Sequence, residues 1–359
     1  MFSEQFETYG YDISESRIEV LREQFKNKDD VSFYTCFDTL KECTLICICV
    51  PTPVNNNVLN DTYLRAAVQT LHDYLDHEKR TTIVMESSVS VGLTRTLLRS
   101  LHEKGHYVCM SPERVDPGRI HPHARDIPKI VSGIDDESLQ SISRIYSQAF
   151  TTIVPVSSLE LGELCKLYEN TFRVINISFA NQISDSCQQL GIDANEMFRA
   201  SATKPYGFMP FHSCLYIGGS CLPNNSRVLL NSCELPLLKA ATEFNEQRPF
   251  NKVSELIEKY PNAKTFLVVG LGFKAGQDIT EHSPGLKIAE ILQDRFMKKV
   301  NVLDPLVKQE QFESADLKTW RFDLVVVAIK QINIDYSSLV EKCKTHDTPI
   351  VSFDMNFKP

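Results

Sequence analysis

The 359-residue chain has no long apolar run, since no window approaches the roughly 18 consecutive apolar residues that a transmembrane helix needs. It also lacks the pattern of a secretory leader, because the first residues, MFSEQFETYGYDIS, contain neither a basic n-region nor an apolar h-region. We therefore expect a cytoplasmic protein with no membrane partner.

An excess of positive charge is also missing. Lys and Arg number 38 against 46 Asp and Glu, which gives a net charge of -8 and a pI near 5.7. Such a chain has no uniform attraction for phosphate backbones, although one local basic pocket for a diphosphate is compatible with this balance. Nucleic acid is not an expected partner.

Metal-ligand spacing is absent as well. Cys43, Cys47 and Cys49 lie close together, but no His or Cys cluster follows them at the spacing of a zinc site. The 11 cysteines are an odd number, and several fall inside apolar runs, which favours reduced thiols packed in a core over disulfides. We expect no metal site.

What is present is an alternation of short, β-rich apolar runs with helical patterns over the first 155 residues. This alternation predicts a doubly wound domain with a parallel sheet and helices on both faces. The expected strands are 6–12, 45–50, 81–86, 107–110 and 152–156. A second α/β unit begins at 264–269.

One long helix is predicted from about Leu159 to Leu190, ended by Gly191 as its C′ residue. A helix of that length exceeds what one small domain needs, so we expect it to join two domains and to pair with its copy in a homodimer. The expected fold is α/β, with two Rossmann-like doubly wound domains joined by this helix. The predicted domains are 1–155, 156–250 and 251–359.

The most informative segment runs from Lys204 to Phe211 and is followed by Gly218-Gly-Ser-Cys-Leu-Pro223. A cysteine after two glycines can lie on a tight loop where its sulfur reaches a substrate, because glycine adopts positive φ and allows close backbone approach. The alternative for Cys221 is a buried cysteine beside a turn.

A polar face on the predicted long helix bears on that choice. Glu163, Lys166 and Asn170 are spaced i, i+3 and i+7, so they share one helical face. A lysine ammonium and an asparagine amide together could stabilise an oxyanion at a thiol-bound carbonyl carbon. The alternative is a solvated helix face.

The order of these segments resembles the UDP-glucose/GDP-mannose dehydrogenase family, and most of all its UDP-N-acetylglucosamine and UDP-N-acetylmannosamine 6-dehydrogenases. The resemblance covers nearly the whole chain. The segments that carry it are Gly10-Tyr-Asp12, Val50-Pro-Thr-Pro53, Glu86-Ser-Ser88, Ser111-Pro-Glu-Arg-Val115 with Pro117-Gly118, Lys166-Leu-Tyr-Glu-Asn170, 204–211, 218–223, Gly270-Leu-Gly-Phe-Lys274, Ser283-Pro284 and Asp304-Pro305.

The resemblance implies a four-electron oxidation of a sugar C6 alcohol to a carboxylate, with two NAD+ used in succession, in polysaccharide biosynthesis. Cys221 would trap the aldehyde as a thiohemiacetal, and a second hydride transfer would leave a thioester for water to cleave. Lys166 and Asn170 match the residues that assist alcohol deprotonation and hold the oxyanion. Glu113 matches the carboxylate linked to thioester hydrolysis.

Cofactor and substrate residues follow from the same resemblance. Asp12 ends an expected strand, where a carboxylate can accept hydrogen bonds from the adenosine ribose, and a helix N-cap is its alternative or additional role. For the prolines of 50–53 the alternative is turn formation. We expect NAD at Asp12, Val50, Pro51, Thr52, Pro53, Glu86 and Ser88, and a UDP-sugar at Lys204, Phe208, Phe211, Gly218, Gly219 and Lys274.

The chain departs from the family at its start. A dinucleotide fold opens with a central strand and a Gly-x-Gly-x-x-Gly turn for the pyrophosphate, and neither precedes Asp12. We expect a coding sequence truncated at its 5′ end or a decayed enzyme, and the alternative to both is a functional compact variant. The alternative to an active dehydrogenase is thus an impaired homologue that binds UDP-sugar or acts only as a dimer partner.

Three further features bear on the site. The turn 270–275 formally satisfies G-x-G-x-x-G/A, but the resemblance assigns it to the UDP moiety, with NAD or a purely structural turn as alternatives. Four residues after Cys221 the family commonly carries an aspartate, whereas this chain has Asn225, which cannot act as a carboxylate base. The basic residue common near Ser283 is not present in the stretch 278–282.

Overall fold

The computed structural model describes residues 1–55, 57–116 and 121–357. It forms two compact units, Met1–Glu169 with Arg227–Ser232, and Asn170–Ser226 with Cys233–Pro359. The chain is therefore an α/β protein of more than one unit, as its pattern of strands and helices predicts. The division into three domains with limits near 155 and 250 stays a prediction.

The first unit contains nine described strands. They are β1 (Thr8–Tyr11), β2 (Val31–Tyr34), β3 (Leu45–Ile48), β4 (Val54–Asn55), β5 (Val58–Leu59), β6 (Thr82–Met85), β7 (Tyr107–Met110), β8 (Lys129–Gly133) and β9 (Ile153–Pro155). The main sheet has the order β3-β6-β7-β8-β9, while β1 pairs in parallel with β2 and β4 pairs with β5 in separate ladders. All five expected strands are confirmed, each within two residues of its predicted limits.

The expectation of a parallel sheet is wrong at one position. Strand β8, which the sequence patterns did not reveal, runs antiparallel to β7, while its other neighbour β9 is parallel to it. A parallel pair needs a crossover, usually through a helix. The described part of the connection from β7 to β8 contains only a 3₁₀ turn at Ala124–Asp126, so the chain reverses direction instead.

Helices cover the strands of the first unit. They are α1 (Glu15–Gln24), α2 (Thr62–Tyr74), α3 (Leu93–Glu103) and α4 (Asp136–Ala149). Their starts follow local chemistry: the Ser14 side chain accepts a hydrogen bond from Arg17 N, and the Asp135 side chain accepts one from Ser138 N. Leu, Ile, Val and Met side chains of the sheet and of α2 and α3 form a continuous buried core.

The predicted long helix is confirmed as α5 (Leu159–Leu190). Its predicted end is confirmed too, because Gly191 adopts a φ of 68°, Gly191 N donates to Gln188 O, and Ile192 N donates to Cys187 O. These two hydrogen bonds form a Schellman motif, which requires a left-handed residue. Among the described residues, no helix combines the length and the apolarity needed to cross a membrane.

The second unit contains a smaller helical part and a five-stranded sheet. Its further elements are α6 (Ala194–Ser201), α7 (Cys221–Ser232), α8 (Pro236–Lys259), β10 (Thr265–Val269), α9 (Pro284–Asp294), β11 (Lys299–Leu303), β12 (Glu313–Ser314), β13 (Leu324–Val327), α10 (Tyr336–Thr345) and β14 (Ile350–Ser352). The parallel sheet has the order β12-β11-β10-β13-β14.

Strand β10 lies at the centre of that sheet and is buried on both faces. Phe266 and Val268 join one apolar cluster, while Leu267 and Val269 join the other, as alternation along a strand requires. The strand order changes direction at β10, because β11 lies on one side of it and β13 on the other. Open α/β sheets bind ligands at such a switch point, beyond the carboxyl ends of the strands.

Two histidines, His77 and His106, lie in contact at one end of the main sheet in the first unit. His106 is 1% exposed, and its Nδ1 accepts a hydrogen bond from Thr81 N at 3.3 Å. The neutral ring therefore carries its proton on Nε2, which lies 2.9 Å from His77 Nδ1. Burial lowers the pKa of His106, and the nearby His77 and Lys104 lower it further.

We expect protonation of His106 to loosen this end of the sheet. Because the folded-state pKa lies below the unfolded value of about 6.5, the stabilisation is complete above that value and is lost as the pH falls through the folded pKa. Hydrogen exchange of the Thr81 amide, corrected for its intrinsic rate, should be faster at about pH 5.5 than at about pH 7.5. His106→Asn should remove this pH dependence, whereas His346→Asn in the second unit should keep it. Equal protection of wild-type Thr81 at both pH values would contradict the assignment.

Candidate active site

Cys221 is the first residue of α7, and its side chain is exposed. The preceding Gly219 has a φ of 81°, and a Cβ there would lie 2.8 Å from the Phe273 ring. A Cβ at Gly218 would lie 2.7 Å from the carbonyl oxygen of His282. Both positions therefore need glycine. The bend presents the thiol at a helix N-terminus, and the alternative of a buried cysteine is wrong.

The connection between β10 and α9 holds this bend. Gly219 N donates to the backbone oxygen of Glu281 at 3.0 Å, and Asn224 Nδ2 donates to Glu281 Oε1 at 3.0 Å. Glu281 thus bridges residues on either side of Cys221. A carboxylate therefore lies against α7 in the stretch 278–282, which lacks the basic residue that the resemblance implies.

Asn225 lies four residues after Cys221 in α7, so the two side chains share one side of that helix. Asn225 is buried. Its amide is neutral and cannot take up a proton as an aspartate would. The departure noted in the sequence thus lies in the first turns of the helix that carries the thiol.

Buried polar side chains of α5 and α8 hold the segment that leads to the bend. Asn181 Oδ1 accepts from Cys214 N at 2.7 Å, and Asn245 Oδ1 accepts from Ile217 N at 3.0 Å. Arg248 Nη1 donates to two successive carbonyl oxygens, starting with that of Cys214. Sequence reasoning missed these three residues. The available signal was a polar residue at positions where the helical pattern buries apolar ones.

Arg248 is itself paired inside the second unit. Its guanidinium forms two hydrogen bonds with the carboxylate of Asp185, at 2.9 and 3.1 Å. The Lys252 ammonium lies 2.9 Å from the same carboxylate. Because a buried charge without a partner is costly, this group fixes α8 against α5.

The turn after β10 is closed by an internal carboxylate. Leu271 N and Gly272 N donate to Asp304 Oδ2 at 2.7 and 3.2 Å. Asp304 therefore occupies the anion position that a pyrophosphate takes at a dinucleotide-binding turn. Gly270 is needed for backbone packing, since a Cβ there would lie 2.1 Å from Ile329 O. This geometry disfavours NAD at this turn, and it leaves Lys274, further along, exposed.

The expected substrate segment 204–211 has no regular secondary structure and is mostly exposed. Lys204 Nζ lies 6.0 Å from the centre of the Tyr206 ring, and Phe208 is 43% exposed. Phe211 is half-buried, with its ring packed edge-on against Phe172 at 5.7 Å. The segment is thus held at its end nearest to Cys221.

The polar face of α5 is not a solvated face. Glu163 is 1% exposed and its two carboxylate oxygens accept from Gly92 N at 2.5 Å and Thr94 N at 2.8 Å. It therefore caps the N-terminus of α3. Burial raises the pKa of Glu163, and the hydrogen bonds from the amides oppose that rise.

Asn170 lies on the same face and is 5% exposed. Its Nδ2 is buried and has no hydrogen-bond partner among the residues that the structure describes. Buried polar atoms are normally paired, so an amide donor left over in this way is suited to an acceptor on a ligand. Lys166, one turn earlier, is half-buried.

The strand ends of the first unit carry the residues expected to bind the cofactor. Asp12 follows β1, and its Oδ1 accepts from Ser14 N at 2.9 Å. Ser14, not Asp12, is the N-cap of α1. In the described ranges Asp12 Oδ2 has no hydrogen-bond partner, so it suits the hydroxyls of an adenosine ribose. The segment from Val50 to Pro53 follows β3 and is held by the Ser87 hydroxyl, which donates to Val50 O at 2.7 Å.

Two carboxylates near these strand ends differ in exposure. Glu86 is buried, and its oxygens contact Lys129 Nζ at 2.5 Å and Tyr146 OH at 2.5 Å, so its side chain points into the unit. Ser88, two residues later, is half-buried. The Glu113 side chain is 55% exposed, and its Oε1 accepts from the amides of the next two residues. Pro117 and Gly118, which follow it in the family pattern, lie outside the described residues.

The family models match most of the first half of the chain and its centre. Residues 4–150 match the NAD binding domain of the UDP-glucose/GDP-mannose dehydrogenase family, and residues 160–247 match the central domain of the same family. These domains define a dehydrogenase whose cofactor is NAD. The chain belongs to the UDP-glucose/GDP-mannose dehydrogenase family.

Individual relatives agree with this assignment. The chain is 29% identical over 287 residues to a UDP-N-acetyl-D-mannosamine dehydrogenase of Pyrococcus horikoshii, which covers 76% of this chain and 68% of that protein. It is 26% identical to a UDP-N-acetyl-D-glucosamine 6-dehydrogenase of Salmonella typhi, over 91% of this chain and 85% of that protein. The solved structure of a UDP-D-ManNAc dehydrogenase from Pyrococcus horikoshii superposes with a TM-score of 0.87 at 25% identity, over 99% of this chain and 92% of that one.

Removing the Glu163 carboxylate should destabilise the first unit. Glu163→Ala leaves the amides of Gly92 and Thr94 without acceptors, and an unsatisfied buried donor costs roughly 1–3 kcal/mol. We expect a loss of about 2 kcal/mol or more in the free energy of unfolding, measured by urea denaturation with circular dichroism. Glu160→Ala on the same helix breaks only a partly exposed pair with Arg95, so its cost should stay below about 1 kcal/mol. Equal losses in the two variants would contradict the capping role.

Proposed function

We propose that this chain oxidises the C6 alcohol of a UDP-sugar to a carboxylate in two NAD-dependent steps, through a covalent intermediate on Cys221. The observation that carries the proposal is an exposed thiol on a two-glycine bend at the start of a helix. A buried amide donor without a partner on α5 supports it. The names of the relatives favour a UDP-N-acetylhexosamine as substrate.

Cofactor binding is proposed at the strand ends of the first unit. The Asp12 carboxylate would accept the hydroxyls of the adenosine ribose, with the backbone of 50–53 and the Ser88 hydroxyl beside the dinucleotide. Glu86 would act there only through its backbone, since its side chain is engaged in the interior. Bound NAD supplies the acceptor for one hydride in each oxidation.

Cys221 is the proposed nucleophile. The N-terminus of α7 carries partial positive charge, which favours negative charge on a group placed there. The sulfur would form a bond to the C6 carbonyl carbon after the first oxidation, giving a thiohemiacetal. Lys166 would take the proton of the C6 hydroxyl, and the Asn170 amide would hold the oxygen as it becomes negative.

The second oxidation leaves a thioester on Cys221, which water must cleave. We propose Glu113 as the carboxylate that takes the proton from this water; the carbon–sulfur bond then breaks and the thiol is reformed. Asn225 would orient groups by hydrogen bonding alone, because its amide cannot accept a proton. The sugar would rest on 204–211 and the UDP moiety on the bend at Gly218 and on Lys274.

A second candidate function is a UDP-sugar binder, or a dimer partner, without turnover. The neutral Asn225 and the carboxylate of Glu281 favour it, because both change the charge beside Cys221. The two candidates share the substrate site and differ in the chemistry at the thiol. They are therefore separated by measuring binding and oxidation on the same preparation.

The chain should form NADH with a UDP-N-acetylhexosamine or with UDP-glucose. Cys221→Ser should reduce NADH formation below detection, because a hydroxyl is a far weaker nucleophile at this position, while UDP-sugar binding by calorimetry persists. Cys36→Ser, which changes an exposed cysteine of the first unit, serves as the control and should leave the rate unchanged. Binding without any NADH would support the second candidate, and no binding of UDP or UDP-sugar would contradict both.

We further propose a homodimer formed through α5. Large apolar side chains lie exposed at i, i+3, i+7, i+11 and i+18 along this helix, which places them on one stripe. They are Leu161, Leu164, Tyr168, Phe172 and Phe179. Such a stripe is costly in water, and a second copy can cover it symmetrically.

Charged substitutions on the stripe should separate the dimer. We expect sedimentation velocity to show a dimer for the wild type and a monomer for the double variant Tyr168→Glu with Phe179→Glu, because two carboxylates would be buried without partners in the interface. Val20→Glu, which changes an exposed apolar residue of α1, is the control and should remain dimeric. A wild-type chain that sediments as a monomer at all accessible concentrations would overturn this proposal.

A further inference from the structure

Lys129 is a buried lysine that the proposed chemistry leaves without a role. It begins β8, and its side chain is 5% exposed. Its Nζ lies 2.5 Å from Glu86 Oε2, 3.2 Å from the carbonyl oxygen of Pro112 and 3.7 Å from Glu113 Oε2. One ammonium therefore faces two carboxylates and the backbone just before the second of them.

The first carboxylate belongs to the interior. Glu86 Oε1 accepts the hydroxyl of Tyr146, which is fully buried and lies 3.4 Å from the Cys47 sulfur. Burial raises the pKa of Tyr146 well above its usual range, so the phenol keeps its proton and acts as a donor. The Glu86 carboxylate is thus held by a tyrosine from α4 and by Lys129.

The second carboxylate is held from two sides. Glu113 Oε1 accepts from Arg114 N at 2.7 Å and from Val115 N at 2.5 Å. Its Oε2 is the oxygen that faces the Lys129 ammonium. Since Lys129 also binds the carbonyl of Pro112, it anchors both the backbone and the side chain of Glu113 to the sheet.

The charges explain why this arrangement persists. A buried ammonium must be paired, and Glu86 satisfies that need. Lysine has three donor hydrogens, so its hydrogen bonds to Glu86 and Pro112 leave one that can be directed at Glu113. The ammonium does not require Glu113 for charge pairing, because Glu86 already provides it and the Glu113 side chain is largely exposed. The contact between Lys129 and Glu113 therefore affects the position of the exposed carboxylate more than the stability of the core.

We propose that Lys129 is a positioning residue for thioester hydrolysis, because it fixes the Glu113 carboxylate in place for the attacking water. This rests on the proposed role of Glu113. The two oxidations need the thiol and the face of α5 that bears Lys166 and Asn170, so they do not depend on Lys129. Loss of Lys129 therefore slows only the step in which water cleaves the carbon–sulfur bond.

Rapid-mixing kinetics test this role in the full chain with NAD and a UDP-sugar. In Lys129→Met we expect a burst of NADH that approaches two equivalents per site, followed by a steady-state rate lowered roughly tenfold or more. A covalent adduct on the Cys221 peptide should accumulate in mass spectrometry. Lys129→Arg should restore much of the rate. A burst and a steady-state rate that fall in proportion would overturn the proposal.

Tyr146→Phe is the matched control. It removes the other partner of Glu86 and leaves Lys129 beside Glu113. If the network serves only the core, Tyr146→Phe and Lys129→Met should affect turnover alike, which would count against the proposal. We expect Tyr146→Phe to lower the melting temperature without producing a burst.

Hydrogen exchange supplies a readout that needs no turnover. The amides of Arg114 and Val115 donate to Glu113, so they should exchange at least about tenfold faster in Lys129→Met and at the wild-type rate in Tyr146→Phe. If Lys129→Met unfolds, the double variant Glu86→Gln with Lys129→Met replaces the charged pair and is measured instead. Unchanged protection of both amides overturns the positioning role. A wild-type chain that forms no NADH counts against the proposed function alone.

Discussion

Polar side chains along α5 pair with groups that would otherwise be unsatisfied, and the placement of neighbouring elements depends on these pairs. Glu163 caps the start of α3, Asn181 holds the backbone at 214, and Asp185 neutralises the guanidinium from α8. An unpaired donor or charge in the interior costs more than the same bond gains when it forms, so these pairs define where the helices can lie. Two neighbouring residues of the same helix differ: the buried Asn170 Nδ2 and Thr171 Oγ1 have no hydrogen-bond partner among the described residues.

The turn after β10 shows how one glycine pattern can serve two purposes. Its amides point to an anion, as in a dinucleotide site, but the anion is the carboxylate of Asp304 from the end of β11. The glycine at 270 is required because the backbone of Ile329, two residues after β13, passes close by. The same turn presses Phe273 against the two-glycine bend before Cys221. Packing of the sheet ends therefore sets the position of the thiol.

Charge differs from the common family pattern around that thiol. Asn225 stands where the resemblance implies an aspartate. Glu281, in the connection between β10 and α9, places a carboxylate beside α7 by accepting a hydrogen bond from Asn224. In the first unit, Lys129 divides its charge between a buried and an exposed carboxylate. In the proposed chemistry these side chains bear on proton transfer, because a hydrolysis step depends on where a base lies and which proton it can take.

The sequence by itself determined what depends on near neighbours. The apolar runs of β3, β6 and β7 and the limits of α5, with its left-handed Gly191, could be read directly, because strand alternation, helix periodicity and C-caps are local properties of the chain. The order of the motifs also identified the family and singled out Cys221, whose exposure only the structure shows. Only the tertiary structure decided which partner each polar side chain meets: the inward direction of Glu86, the carboxylate of Asp304 in the glycine turn, and the reversed direction of β8. Each of these depends on residues brought together from distant parts of the chain, and no local spacing encodes such pairings.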